Sequence, residues 1–126
     1  MNHDFDRPRR KAVALDPHPL CHTALSTLLA RFNIELVGAA TSARTAQTLL
    51  QEHSPDLLVM EIELAEGRDA ALELISDSRG ALPGLTVIIL SGTNDCALID
   101  AALDRGSSAY VLKTSDPEAI ATAIRQ

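Results

Sequence analysis

The sequence has no tryptophan, one tyrosine and two phenylalanines among its 126 residues. Its core must therefore be built from aliphatic side chains, a palette that suits helices packed on a parallel sheet. Two cysteines, Cys21 and Cys96, stand without metal-type spacing, which excludes a thiolate metal site and a disulfide framework. Both read as small buried apolar residues. No apolar run approaches the roughly 20 residues of a membrane span. The first eleven residues are polar and charged, unlike a secretory signal, so a cytoplasmic protein with no membrane partner is expected. No glycine-rich loop follows the first apolar run, which argues against a nucleotide or flavin binder. Positive charge is scarce: 11 Lys and Arg face 17 Asp and Glu, for a net charge of -6. Four of the basic residues, Arg7, Arg9, Arg10 and Lys11, cluster at the start, so the body from Ala12 onward is strongly acidic. Such a body is a poor electrostatic partner for nucleic acid, and no direct nucleic-acid binding by this chain is expected. Residues 1–10 read as a disordered leader. Residues 11–126 have the length of one domain, and at 46% hydrophobic residues the chain can fill its core.

What the chain does contain is a repeated alternation of apolar runs and helical stripes. Lys11 to Asp16 is a short apolar run ending on a carboxylate. Pro17 biases Asp16 away from helical angles and stops the strand there. Leu20, Ala24, Leu25, Leu28 and Phe32 then follow helical spacing over residues 18–32, with Pro19 suited to a first turn. Ile34 to Ala40 is a second strand. Ser42 is a helix N-cap, before the stripe Ala43, Ala46, Leu49 and Leu50. Asp56 to Ile62 is a third strand, read as buried on both faces, and its apolar stretch reaches a carboxylate at Glu61. A helix over 69–79 follows, with Gly80 as its C-cap. Pro83-Gly84 marks a turn. Leu85 to Leu90 reads as the most buried strand, ending at Ser91. Asn94 or Asp95 caps a helix through Leu98, Ile99, Ala102 and Leu103 that Gly106 closes. Ala109 to Leu112 is the fifth strand, ending on Lys113, and Ser115 with Glu118 forms a capping box for the last helix. Five strand–helix units with short connections predict an α/β, doubly wound parallel sheet with helices on both faces.

In open sheets of this kind, ligands bind outside the carboxyl ends of the strands. The residues there are Asp16, Glu61, Ser91 and Lys113. Two carboxylates, a hydroxyl and an ammonium from four different strands predict a site on one edge of the sheet. His18 lies beside it in a capping or structural role, while His22 and His53 read as solvated.

From Lys11 to Gln126 the sequence resembles a response-regulator receiver domain of two-component signalling, and is most similar to the CheY-like receivers of LuxR-type regulators. The segments that carry the resemblance are Leu15 to Pro19, Pro55 to Ile62, Val87 to Ser91 and Gly106 to Lys113. It implies a flavodoxin-like sheet order of 2-1-3-4-5. It also implies phosphoryl transfer onto an aspartate at the end of strand three, with Mg²⁺ held there by a pair of acids after strand one. Asp16 matches the first acid of that pair, Ser91 the switch hydroxyl, Lys113 the phosphate-binding lysine, and Tyr110 the aromatic switch on strand five. As partners it implies an output domain, a histidine kinase and a second copy of the chain in a homodimer. No helix-turn-helix follows the last strand, so DNA contact is expected to lie with an attached or partner output domain.

The sequence departs from the pattern chiefly at two positions, besides Ala65, where the family commonly has proline, and Thr114, which follows Lys113 in place of a cis-proline. The phosphoacceptor place holds Glu61, and the second acid of the pair is replaced by Pro17, which has no side-chain oxygen. Asp16, Glu61 and Lys113 together carry a formal charge of -1, where three acids and a lysine would carry -2. Mg²⁺ requires near-octahedral oxygen ligation, so no metal, or only a weak Mg²⁺ at Asp16 and Glu61, is expected. The extra methylene of Glu61 displaces its carboxylate by roughly a bond length, and in-line attack is sensitive to about 1 Å. The expected function is that of a pseudo-receiver, needing no cofactor and catalysing no reaction, which controls an output domain by protein–protein interaction without ordinary aspartyl phosphorylation. The alternative is a working Mg²⁺-dependent phosphoacceptor in a histidine-kinase phosphorelay. Within the first reading, Glu61 is either a partial mimic of the phosphorylated state or a carboxylate that pairs with Lys113 in one inert arrangement.

Overall fold

The structure, a computed structural model, describes residues 9–125. Strands and helices alternate: β1 (Arg10–Leu15), α1 (Pro19–Ala30), β2 (Ile34–Ala40), α2 (Ala43–His53), β3 (Leu57–Met60), α3 (Arg68–Ala81), β4 (Thr86–Ser91), α4 (Cys96–Asp104), β5 (Ala109–Leu112) and α5 (Pro117–Arg125). All neighbouring strands are parallel, in the order β2-β1-β3-β4-β5. This is the expected CheY-like α/β fold. The disordered leader falls on residues 1–10, of which 1–8 lie outside the described residues. Arg10 already pairs with Ile34, so β1 begins one residue earlier than the apolar run suggests.

The strand period of two divides the core between the sheet faces. Leu58 and Met60 of β3 join Leu50, Ile75 and Leu98 on the side of α2, α3 and α4. Leu57 and Val59 join Leu25, Leu29 and Ile124 on the side of α1 and α5. Every residue of β3 is buried, whereas Thr86 and Leu90 of β4 are half-buried. The expectation that β4 is the most buried strand is therefore corrected. β3 is the middle strand of the five and is sheltered by a neighbour on each side as well as by both helical layers.

Several boundaries differ from the sequence reading for local reasons. α1 ends at Ala30, and the chain leaves through Asn33 at φ 59°, a left-handed conformation that asparagine tolerates. α3 runs through Gly80 to Ala81, so Gly80 is not its C-cap. Pro83 excludes helical angles at Leu82, and the helix ends there instead. At the α5 N-terminus Asp116, not Ser115, accepts from the Ala119 N–H at 3.1 Å. Of the two cysteines expected to be buried, Cys21 is half-buried and Cys96 is exposed in the first turn of α4. Ser42 caps α2 as expected, Asp95 caps α4, and Gly106 turns the chain at φ 113°.

Because Leu58 lies in the fully buried strand under both α2 and α3, Leu58→Ala should cost about 2–5 kcal/mol. The check is the urea midpoint at unchanged m-value; a loss under about 1 kcal/mol would contradict the packing described.

Candidate functional site

The last ladder bonds of the sheet place the site. The Asp16 N–H donates to the Ala40 carbonyl (2.9 Å), the Glu61 N–H to Leu15 (2.8 Å) and the Lys113 N–H to Ser91 (2.8 Å). Each residue is thus one step past the end of its strand, where the backbone is still fixed by the sheet. That is why an apolar run followed by one polar residue identifies them. The four predicted residues lie on the same sheet edge, and three are joined by ion pairs.

Lys113 is the centre of the cluster. Its Nζ stands 2.6 Å from Asp16 Oδ2 and 3.2 Å from Glu61 Oε1. Both carboxylates are buried, at 6% and 5% exposure. The other oxygen of Asp16 accepts from the His18 N–H (2.8 Å) and lies 3.1 Å from His18 Nδ1. Glu61 folds back on its own loop: Oε2 accepts from the N–H groups of Ile62 (2.6 Å) and Glu63 (3.0 Å). Oε1 also accepts from the Gly92 N–H at 3.3 Å. Three backbone donors and an ammonium therefore converge on one side-chain carboxylate. Ser91 is fully buried, and its Oγ accepts from the Thr93 N–H at 3.2 Å. No Ser91–Glu61 hydrogen bond forms among the described residues, so that hydroxyl acts on Glu61 as a nearby dipole.

The electrostatics agree with the geometry. Burial alone would raise the Asp16 carboxyl, but the Lys113 ammonium and the His18 donors outweigh it and hold it below its ordinary value. Burial also works against charge on Glu61, and the Ser91 hydroxyl, the Glu63 and Ile62 N–H groups and Lys113 together hold this carboxyl low. Lys113 is pushed up: burial opposes its charge, and Asp16 and Glu61 more than compensate. All three groups are charged at neutral pH.

Tyr110 is half-buried against the core on the α4 side, and its hydroxyl donates to the Thr93 carbonyl at 2.9 Å. Burial pushes that phenol up. His18 takes a structural place on Asp16, through its ring and backbone rather than as a side-chain helix cap. His22 is not simply solvated: its Nε2 is bonded to the Asp16 carbonyl at 2.9 Å. Sequence reasoning missed the backbone donors of Ile62, Glu63 and Gly92, which no side-chain pattern encodes. It also missed Arg68, which donates through Nε to Glu63 at 2.9 Å and reaches Asp95 at 3.5 Å, joining the loops after β3 and β4.

A divalent cation does not fit this donor set. Only Asp16 and Glu61 offer side-chain oxygens near Lys113, Pro17 offers none, and all four carboxylate oxygens already accept hydrogen bonds or an ion pair. Among the described residues no group of three or more His, Cys, Asp and Glu could hold a metal. No helix of the described residues is long and apolar enough to cross a membrane.

Comparison with known proteins places this geometry. The family model described as the response regulator receiver domain matches residues 13–125. The response regulator protein VraR of Staphylococcus epidermidis is 31% identical over 119 residues, covering 92% of this chain and 55% of that protein. The chain thus spans about half the length of the curated relatives it matches. A LuxR-family two-component response regulator from Aurantimonas sp. SI85-9A1 superposes with a TM-score of 0.84 at 26% identity, over 94% of this chain and 84% of the other. A CheY-like receiver domain protein from Methanospirillum hungatei JF-1 also gives 0.84, at 18% identity over 94% and 92% of the two chains, which speaks to the fold alone.

The charge triad predicts a definite pH dependence. The depressed carboxyls of Asp16 and Glu61 contribute stability that is present above their ordinary values and lost as pH falls through the folded ones. The raised Lys113 contributes stability that is present below its ordinary value and lost only as pH rises through the higher folded one. The domain should be most stable between about pH 5 and 10 as far as these groups decide it. Lys113→Met should lose about 1–3 kcal/mol at pH 7 and flatten the acid limb, because the carboxyls then lie closer to their unfolded values. Melting temperatures of both proteins from pH 3 to 8 test this; parallel acid limbs would refute it.

Proposed function

The chain belongs to the response regulator receiver domain family, and from that premise we propose that it is a pseudo-receiver whose Glu61 carboxylate stands in for the phosphoryl group. Receiver domains are signalling modules rather than classical enzymes; they interact with histidine kinases and output domains, and this one is related to LuxR-type transcriptional regulators. The observation that carries the proposal is the convergence of the Ile62, Glu63 and Gly92 N–H groups and the Lys113 ammonium on Glu61. Such a set of donors is an anion site, and here its occupant is covalently part of the chain. On this reading Glu61 supplies one negative charge where a phosphoryl group supplies nearly two. A carboxylate whose oxygens are all engaged is also a poor nucleophile, and Pro17 leaves the acid pair one ligand short. The domain then acts through protein–protein contacts in the cytoplasm, as a homodimer, on an attached or partner output domain that regulates transcription.

The bias this can exert is bounded. One charge-assisted hydrogen bond is worth roughly 1.5–3 kcal/mol, enough to shift a nearly balanced equilibrium but not to lock it. In this account Tyr110 and Ser91 report the bias, since both contact Thr93 in the loop after β4.

Two outcomes are expected. Incubation with Mg²⁺ and a small acyl-phosphate donor should leave the intact mass unchanged, and a stoichiometric phosphate adduct at Glu61 would end the proposal. Glu61→Gln should weaken self-association by roughly tenfold, the equivalent of about 1.4 kcal/mol, while the domain stays folded. Sedimentation equilibrium beside a thermal melt measures this; unchanged association would leave Glu61 a structural carboxylate at a strand end.

A further inference from the structure

The edge where the strands begin, at the other end of the sheet from Glu61, carries a cluster of cations. Phe32 lies in the turn between α1 and β2 and packs, half-buried, on the core of Leu29, Ile34 and Ile124. The guanidinium carbon of Arg125, in the last turn of α5, stands 5.0 Å from the centre of its ring, and that of Arg31 stands 5.9 Å away. Both are cation–π distances. Arg10 joins them from β1. Its ladder partner is Ile34, and the strand alternation puts it on the face of Ala12 and Ala14, the side covered by α1 and α5. Three exposed guanidiniums thus gather around one aromatic ring.

No carboxylate balances them from their own helices. α1 has none along its length, and Glu118 of α5 lies in the first turn, about two turns before Arg125. The acids at this edge sit beside Lys11 instead: Glu35 is its ladder partner, and Asp56 accepts its N–H at 2.9 Å. The same alternation turns Lys11 and Glu35 to the opposite face of the sheet. Among the described residues Arg10, Arg31 and Arg125 make no side-chain hydrogen bond or ion pair, whereas Arg68, Arg79 and Arg105 each bond an acid, a carbonyl or a hydroxyl. Arg31 and Arg125 also face the negative carbonyl ends of their helices, but that does not account for Arg10. Like charges gathered in this way repel one another, and an anion docked among them removes that cost while taking up the free N–H donors.

We propose that Arg10, Arg31 and Arg125 around Phe32 form a docking surface for a short acidic segment of a partner protein. Guanidinium forks take carboxylates bidentately, and the Phe32 ring holds two of the three forks in place. A segment with two or three neighbouring Asp or Glu side chains matches this set. A nucleic acid matches it less well, because it carries a charge about every 1.7 Å of duplex and would run past the cluster over a chain of net charge -6. A flat anionic membrane would likewise meet Glu35 and Asp56 at the same edge. A short acidic segment ends within the cluster. The surface is remote from Glu61, and the inference stands whether or not Glu61 replaces a phosphoryl group.

The test titrates the intact chain into fluorescein-labelled hexaglutamate and follows anisotropy, with hexaglutamine, a single-stranded hexathymidylate and phosphatidylglycerol vesicles as the other probes. Hexaglutamate should bind saturably, and severalfold more weakly as salt rises from about 50 to 300 mM; hexaglutamine should not bind. Arg31→Gln and Arg125→Gln should each weaken hexaglutamate about threefold, within the range for solvent-exposed ion pairs, and together about tenfold, at unchanged melting temperature. Arg44→Gln removes an equally exposed cation from the first turn of α2, outside the cluster, and should leave binding unaltered. Three results would each overturn the proposal: no saturable binding of hexaglutamate, equal weakening by Arg44→Gln, or binding of hexathymidylate or vesicles as tight as that of the peptide.

Discussion

The ammonium of Lys113 between Asp16 and Glu61 is the contact on which the carboxyl edge of the sheet depends. Two carboxylates from adjacent strands could not both be charged and buried without a counter-charge, because desolvation and mutual repulsion would force one to bind a proton. The counter-charge comes from β5, two strands away from β3 in the order β2-β1-β3-β4-β5. It must therefore extend past the end of β4, and β4 ends on the small Ser91. A long flexible stem is what such a reach requires, and lysine supplies it with a point charge that needs no fixed fork geometry. Sheet order, residue size and charge thus fix one another at this edge.

The methylene that separates glutamate from aspartate has a structural consequence beyond its length. It lets the Glu61 carboxylate turn back to the N–H groups of Ile62 and Glu63 while its other oxygen still meets Lys113 and Gly92. The loop after β3 is thereby tied to the loop after β4. Arg68 ties the same two loops from outside, through Glu63 and Asp95, and Asp95 in turn caps α4. These outer pairs are exposed and screened by solvent. The buried carboxylate is the stronger connection, and Tyr110 extends it to β5 through the Thr93 carbonyl.

The alternation of strands and helices was legible because it follows from local patterns: apolar runs, helical stripes, and prolines at strand ends; the order of the strands came from the family resemblance. The site was legible for the same reason, since a polar residue directly after an apolar run is carried to the sheet edge by the ladder. What the sequence hid depends on partners distant in the chain or on backbone groups. The anion cradle around Glu61 is mostly main chain, so no side-chain motif announces it. Gly80 looked like a stop, yet the stop comes from the restriction Pro83 places on Leu82. β4 looked the most buried from the composition of its apolar run alone. Burial is set instead by position in the sheet, and β3 is the middle strand. His22 looked solvated because helical spacing places it off the apolar stripe, and its partner is the carbonyl of Asp16, six residues back.

A phosphoryl group can leave, and a side chain cannot. If Glu61 fills the anion cradle, the bias it exerts is the same in every molecule at every moment near neutral pH, since its carboxyl is held below the ordinary range. A constant bias sets where an equilibrium rests but cannot move it. Movement needs a ligand or partner that binds one arrangement better than the other, and it can shift the populations only by that difference. In such a domain the signal has to enter away from the cradle, on a surface whose shape differs between the two arrangements. The network from Glu61 through Gly92 and Thr93 to Tyr110 shows where that difference would be felt: at the start of α4 and along β5. A bias of a few kcal/mol would leave both arrangements within reach there, so a partner whose affinity for the two differs by a similar amount would be sufficient to select one.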